Sequence, residues 1–264
     1  MTLDGQVAFV AGASRGIGAD IARYLGKAGA KVAVAARTQE VRDPRLPGTI
    51  HSVTKEITDA GGAALAVLLN MRDPESIKTA IKQVVDAWGR LDILVNNAAI
   101  FVPGNLETVE ERHINLSLEV NMRSYILTMR EAIPHMRAAG GGHIINLSSR
   151  ASIPLGPGPY TQAQRERGGD IFYGAEKIAL EHFSQRQAAM LQDDNISVNL
   201  LAPNGLIRTP GNRLASNDRE HPDLNFDSAD DMGKAVVWIC EQPAQEFTGN
   251  VLYDQLVLEG AARR

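Results

Sequence analysis

The chain has 264 residues, 44% hydrophobic and 22% charged, with a formal net charge of −4. That length suits one large α/β domain or two small ones, and the composition is that of an ordinary globular protein. The mild negative charge argues against a nucleic-acid or membrane surface as the main partner, and the single cysteine, Cys240, excludes an intramolecular disulfide.

Met1-Thr-Leu-Asp-Gly-Gln runs straight into an apolar segment, without the charged start, apolar run and cleavage site of a secretion signal. No apolar stretch is long enough to span a bilayer. The expectation is a soluble cytoplasmic protein with Cys240 in its core.

Val7-Ala-Phe-Val-Ala11 reads as a buried strand, and Ile17, Ile21 and Leu25 then mark one face of a helix. Lys31 to Ala36 is a second strand, a helix over about 50–60 ends at Gly61-Gly62, and Ala63 to Leu69 is a third strand. Ile77, Ile81, Val84, Val85 and Trp88 stripe a helix that stops at Gly89, before a fourth strand at Asp92–Val95. Ile126, Met129, Ile133 and Met136 mark a long helix ended by Gly140, with Pro134 expected to kink it. His143–Leu147 is a fifth strand, a helix from about 170 to 191 follows, and Ile196–Leu201 is a sixth. A helix near 229–241 and a strand near 251–254 complete the pattern. Strand–helix alternation predicts an α/β fold, a doubly wound parallel sheet of about seven strands with helices on both faces. We expect one domain over 1–264, with insertions at about 38–49 and 153–169 and a polar lid at about 210–228.

Gly12-Ala-Ser-Arg-Gly16-Ile-Gly18 follows the first strand and opens the first helix. Glycines there let the backbone approach a pyrophosphate, and a helix start offers free N–H groups with a positive dipole end. Gly12, Ser14, Arg15, Gly16, Ile17 and Gly18 are therefore candidate nucleotide contacts. The second strand ends Ala35-Ala36-Arg37, without the acid that binds an NAD ribose. Arg15 and Arg37 suit a 2′-phosphate instead, which favours NADP over NAD. Arg42 and Arg45 are expected at the surface.

Gly12-x3-Gly16-x-Gly18, Asn96-Asn97-Ala98-Ala99, Asn121, Ser148-Ser149 and Tyr173-x3-Lys177 stand in the order found in short-chain dehydrogenases/reductases. The chain resembles that family over nearly its whole length, in its single-domain carbonyl reductase and alcohol dehydrogenase branch. The resemblance implies hydride transfer between a nicotinamide nucleotide and a carbonyl or secondary alcohol. A free phenol titrates near pH 10, too high for acid–base work at neutral pH, and a nearby ammonium favours its ionised form. Tyrosine and lysine at i and i+4 share a helix face, so Tyr173 is the expected acid/base and Lys177 its electrostatic partner. By resemblance, Lys177 also holds the nicotinamide ribose and Asn121 anchors a water leading to it. Tyr160 has only Gln164 at i+4 and sits in a Pro/Gly stretch; it is read as an exposed loop tyrosine, with a substrate-pocket role as the other option. Ser149 is the expected substrate-orienting hydroxyl, with Ser148 second. The stretch between Ser149 and Tyr173 is about twice as long as usual in that family, so the insert must loop out.

The same resemblance assigns Asn70 and Met71 to the adenine side and Asn97, Ala98 and Ala99 to the cofactor wall. After the sixth strand, Pro203-Asn-Gly-Leu-Ile-Arg-Thr209 carries an extra residue, Asn204. Pro203, Gly205, Ile207 and Thr209 are still expected against the nicotinamide end and the diphosphate. The histidines lack metal-ligand spacing, so a metal-free reaction is expected. The substrate's identity is not readable; Arg165 and Arg167 could greet a carboxylate, but a solvated loop is the preferred reading. The family points to a dimer or tetramer built through helices around 106–138 and 170–191. Two other readings remain, a non-catalytic NADP-binding regulator and an NAD-dependent sugar-nucleotide epimerase or dehydratase. The intact Asn121, Ser149, Tyr173 and Lys177 disfavour the first. The short stretch after Pro203 disfavours the second.

Overall fold

A computed structural model describes residues 1–102, 104–167, 172–215 and 228–260. Seven strands form one all-parallel sheet: β1 (Val7–Ala11), β2 (Lys31–Ala36), β3 (Ala63–Leu68), β4 (Ile93–Asn96), β5 (Gly142–Leu147), β6 (Ile196–Ala202) and β7 (Val251–Tyr253). Their order is β3-β2-β1-β4-β5-β6-β7. The order reverses between β1 and β4, and such a switch point opens a crevice at the carboxyl ends of the strands.

The helices cover both faces. On one lie α1 (Gly16–Lys27), α2 (Ile50–Asp59) and α9 (Asp230–Cys240). Ile21, Leu25, Val53, Ile57, Val236 and Ile239 pack there against Val10, Val34 and Val95. On the other lie α3 (Pro74–Trp88), α5 (Ser124–Ala139) and α7 (Tyr173–Leu191). Their Ile77, Ile81, Met129, Met136 and Leu180 meet Phe9, Leu94 and Val198. Strands covered on both sides read as continuous apolar runs, as β1 and β2 do. Cys240 is buried.

Local signals set the helix ends. Thr49 and Ser52 form a reciprocal cap for α2, Asp73 accepts from the Glu75 amide with Pro74 at the first helical position, and Gly89 ends α3 in the left-handed region. Pro134 lies inside α5, whose helical assignment continues through it. Among the described residues, the helix expected around 106–138 is divided into α4 (Glu111–Leu118), a π-helical turn and α5, and three short helices were not expected: α6 (Gln162–Arg167), α8 (Pro210–Ala215) and α10 (Asp254–Leu258). The 153–169 insertion therefore contains a helix, and the proposed lid begins as one; residues 216–227 of that lid lie outside the described residues. Among the described residues no helix is long and apolar enough to cross a membrane.

Candidate active site

The glycine turn sits at the switch point, locked from behind. Asn97 at the end of β4 donates through Nδ2 to the carbonyl oxygens of Gly12 (3.0 Å) and Ala11 (3.2 Å). Gly12 has φ +76°, and a Cβ there would stand 2.7 Å from Ala98 Cα, so only glycine lets the turn press against the Asn97-Ala98 backbone. Ala99 follows on that same segment. α1 then starts at Gly16 with no side-chain cap and no acidic residue in its first turn, leaving its positive end open. Ile17 packs partly buried beneath it, Gly18 is buried, and Ser14 is buried within the turn.

Arg15 and Arg37 face each other beside this turn. The exposed Arg37 directly follows β2, and Arg15 donates to the carbonyl oxygens of Pro47 (3.2 Å) and Gly48 (3.0 Å). The 38–49 insertion thus docks on Arg15. Partial burial and the neighbouring Arg37 charge both lower the Arg15 guanidinium from its usual range. Among the described residues no carboxylate pairs with either guanidinium, whereas Arg45 is held by Asp43 at 2.7 Å. The Leu69 amide bonds Ala36 O (3.0 Å), which sets Asn70 beside the end of β2. Asn70 Oδ1 accepts from the Arg72 amide at 3.2 Å, and Met71 is buried in the core under α3.

Tyr173 opens α7 and meets Phe101 edge to face, with ring centroids 6.2 Å apart. Lys177, one turn on, is 1% exposed. Its Nζ donates to Leu147 O (2.6 Å) and to Tyr125 Oη (3.4 Å). The ammonium lies over two rings, 4.8 Å from the Tyr125 centroid and 5.4 Å from that of Tyr173. Burial pushes the amine down to about 7, while Glu176 and Glu181 oppose the fall. Burial first, then Tyr173, moves the Tyr125 phenol up.

The two serines differ in what holds them. Ser148 Oγ donates to the buried carboxylate of Glu181 at 2.6 Å. Ser149, with extended backbone, caps a 3-10 turn over Arg150–Ser152 by accepting from the Ala151 amide at 3.2 Å. Its hydroxyl proton is therefore uncommitted among the described residues. Gly174 brings this turn to Tyr173: a Cβ at Gly174 would stand 2.6 Å from Ala151 O, so α7 starts directly against the serine turn. Of the long insert between Ser149 and Tyr173, residues 154–163 are exposed, and residues 168–171 lie outside the described residues.

Asn121 is fully buried in a π-helical turn (Glu119–Arg123) between α4 and α5, a distortion often found at functional sites. Its amide pairs with the Ile100 peptide in both directions, accepting from the N–H and donating to the C=O at 2.9 Å each. Its Nδ2 also lies 2.7 Å from Glu176 Oε2. After β6, Asn204 is held by Arg150 and Asp254, so the extra residue is a tie rather than a free loop. The Ile207 carbonyl already accepts from Asn212 Nδ2 (2.8 Å) and the Thr209 amide (2.9 Å). Thr209 leans on the phosphate turn, where a Cβ on Gly16 would be 3.1 Å from it. Pro203 is half-buried and Gly205 is exposed. Tyr160 is exposed, with its hydroxyl donating to Gly156 O (3.0 Å), and Arg165 donates to Tyr160 O (2.7 Å). Both side chains fasten the insertion to itself. The Arg167 side chain lies outside the described residues. Sequence reading overlooked Phe101, Ser117, Tyr125, Glu176 and Glu181. The signal available for the last two was a pair of carboxylates around Lys177 on a helix that must pack against a sheet.

Comparison with known proteins gives a consistent picture. A family model described as short chain dehydrogenase matches residues 6–220. Hydroxysteroid dehydrogenase-like protein 2 of Bos taurus is 35% identical over 97% of this chain, and that of Danio rerio 34% over the same share. The chain spans 58% and 59% of those proteins' lengths. Among solved structures, a metagenomic short-chain oxidoreductase in complex with NADP is 33% identical with TM-score 0.73, covering 96% of this chain and 98% of that one. A dehydrogenase from Xanthomonas campestris, described as putative, is 31% identical with TM-score 0.82, covering 99% and 91%.

Proposed function

The chain belongs to the short-chain dehydrogenase/reductase family, and on that premise we propose that it is an NADP(H)-dependent oxidoreductase interconverting a carbonyl and a secondary alcohol. The observation that carries the reading is the buried Lys177 ammonium beside the Tyr173 ring, next to a serine whose proton is uncommitted among the described residues.

The bound nucleotide would supply or accept the hydride. In reduction, Tyr173 gives its hydroxyl proton to the carbonyl oxygen, and in oxidation its phenolate takes the alcohol proton. Ser149 donates a hydrogen bond to that oxygen and fixes its direction. The Lys177 charge favours the phenolate, so proton transfer costs less near neutral pH. Asn121 holds the Ile100 peptide and with it the wall bearing Phe101.

The residues present fit NADP. The open start of α1 would hold the diphosphate with Gly12, Gly16, Gly18 and Thr209, and Arg15 and Arg37, which have no carboxylate partner among the described residues, would hold a 2′-phosphate. The structural relative bound to NADP supports the same choice. Residues 1–264 act as one catalytic domain. A cytoplasmic homodimer or homotetramer is part of the proposal, with exposed Leu118, Ile178 and Met190 on α4 and α7 as interface candidates. The test is turnover of ketones, aldehydes and alcohols, followed by nicotinamide absorbance with NADPH and NADH. Tyr173→Phe should lose on the order of a hundredfold or more. Near-normal turnover in that variant would overturn the assignment.

A further inference from the structure

The proposed mechanism leaves a buried carboxylate beside the Tyr173–Lys177 pair unused. Glu176 sits between the tyrosine and the lysine and is 4% exposed. Its Oε2 accepts from Asn121 Nδ2 at 2.7 Å and from Ser117 Oγ at 2.9 Å. Its Oε1 is buried with no hydrogen-bond partner, the only such side-chain atom among the described residues. A carboxylate in a packed wall is unfavourable unless its charge is compensated, and a half-satisfied one asks for an explanation.

The contacts close a loop around the site. Glu176 holds Asn121, Asn121 holds the Ile100 peptide, Phe101 follows Ile100 and meets the Tyr173 ring, and Tyr173 returns to Glu176 within one turn of α7. The buried cation nearest in sequence is Lys177, and Glu176 is the first of two carboxylates that favour its charged form. The second, Glu181, is engaged by Ser148 and Ser152 on the other side. Among the described residues neither carboxylate forms an ion pair with the ammonium, so both act across space. The other groups facing Lys177 are Tyr173, Tyr125 and the Leu147 carbonyl. On the α4 side of Glu176, His113 is half-buried, Glu119 pairs with Arg72 at 2.8 Å, and Arg123 is exposed.

We propose that Glu176 is a positioning residue for the Tyr173–Lys177 pair: its carboxylate clamps Asn121 to the start of α7, and its charge keeps the Lys177 ammonium in place. This rests on the oxidoreductase reading, but part of its test does not need turnover. Glu176→Gln keeps the reach and removes the charge, whereas Glu176→Asp keeps the charge and shortens the reach.

In isotope-labelled lysine NMR, with the Lys177 signal assigned by its loss in Lys177→Met, the Gln variant should titrate about one pH unit below the parent. The Asp variant should titrate with the parent. Kinetically, the alkaline limb of reductive kcat/KM should fall in the same order. The sign is the same for both groups, because removing a negative charge eases proton loss from the ammonium and from the phenol. The Asp variant should keep the parent's limb and lose several-fold in kcat, because Asn121 is released. Coincident titrations of Gln variant and parent would overturn the electrostatic part, and an Asp variant with parental kcat would overturn the clamp. If the Gln variant does not fold, the Asp variant still decides: parental kcat sinks the proposal. Loss of the oxidoreductase reading would show separately, as full activity in Tyr173→Phe, and would leave the NMR comparison standing.

Discussion

Lys177 Nζ stands 2.6 Å from the carbonyl oxygen of Leu147, the last residue of β5. The contact ties α7 to the strand end from which Ser148 and Ser149 continue, so the cation and the serine turn share one support. It also places an amine in a nearly sealed position, where burial pushes it down to about 7 from an ordinary 10.5.

That displacement predicts a pH-dependent stability. Below about pH 7 Lys177 is charged in both folded and unfolded protein. Between about 7 and 10.5 the unfolded chain holds a proton that the folded chain has released. The unfolded state then binds more protons, so stability contributed by this group rises with pH across that window and is constant outside it. Urea unfolding of the parent and of Lys177→Met, repeated over a pH series, checks this. The parent curve should gain on the variant between neutral pH and pH 10.5, and parallel curves would refute it. The same variant should lose most reductive turnover.

The two adjacent serines should separate stability from chemistry. Ser148 donates to buried Glu181, so Ser148→Ala removes a donor from a carboxylate and should cost about 1–3 kcal/mol of stability. Its effect on kcat/KM should be small. Among the described residues the Ser149 hydroxyl only accepts, capping the short turn at the Ala151 amide, so Ser149→Ala should cost about 1 kcal/mol or less of stability yet lose on the order of tenfold or more in kcat/KM, the weight of one hydrogen bond to a charged oxygen. Denaturant midpoints and initial rates on both variants decide it. The opposite pattern would make Ser148 the substrate-facing hydroxyl.

The sheet was legible because strands covered on both faces leave uninterrupted apolar runs, and because Gly89 and Gly140 end helices by a backbone requirement. Ser149, Tyr173 and Lys177 were singled out through their order along the chain, and the fold sets the serine turn against the start of α7. The short helices were harder. α6 opens within Thr161-Gln-Ala-Gln164, whose Thr161 and Gln164 side chains bond each other's backbone amides. That reciprocal cap is written in the sequence, yet the surrounding prolines and glycines outweigh it for a reader of composition. Asn121's π-turn has no sequence period of its own. Glu176 was hidden for another reason. On a helix with apolar and polar residues all round, a glutamate next to a lysine looks like a solvated pair until the sheet and α4 are packed against it.

Cofactor choice should hinge on Arg37. It follows β2 exposed and without an ion-pair partner among the described residues, while Arg15 beside it already gives two donors to Pro47 and Gly48. Arg15 is therefore fixed in place and Arg37 is free to close on an anion. Like charges held together without a carboxylate are unfavourable until an anion arrives, and that favours a ligand carrying the extra phosphate. A charge-assisted hydrogen bond contributes about 1.5–3 kcal/mol, so Arg37→Ala should raise the KM for NADPH about tenfold or more and leave that for NADH nearly unchanged. Arg37→Asp should go further, because an acid at this strand end binds a ribose 2′-hydroxyl and repels a 2′-phosphate. Initial rates with both nucleotides measure the ratio. Equal losses with NADPH and NADH would mean that Arg37 does not read the 2′-phosphate.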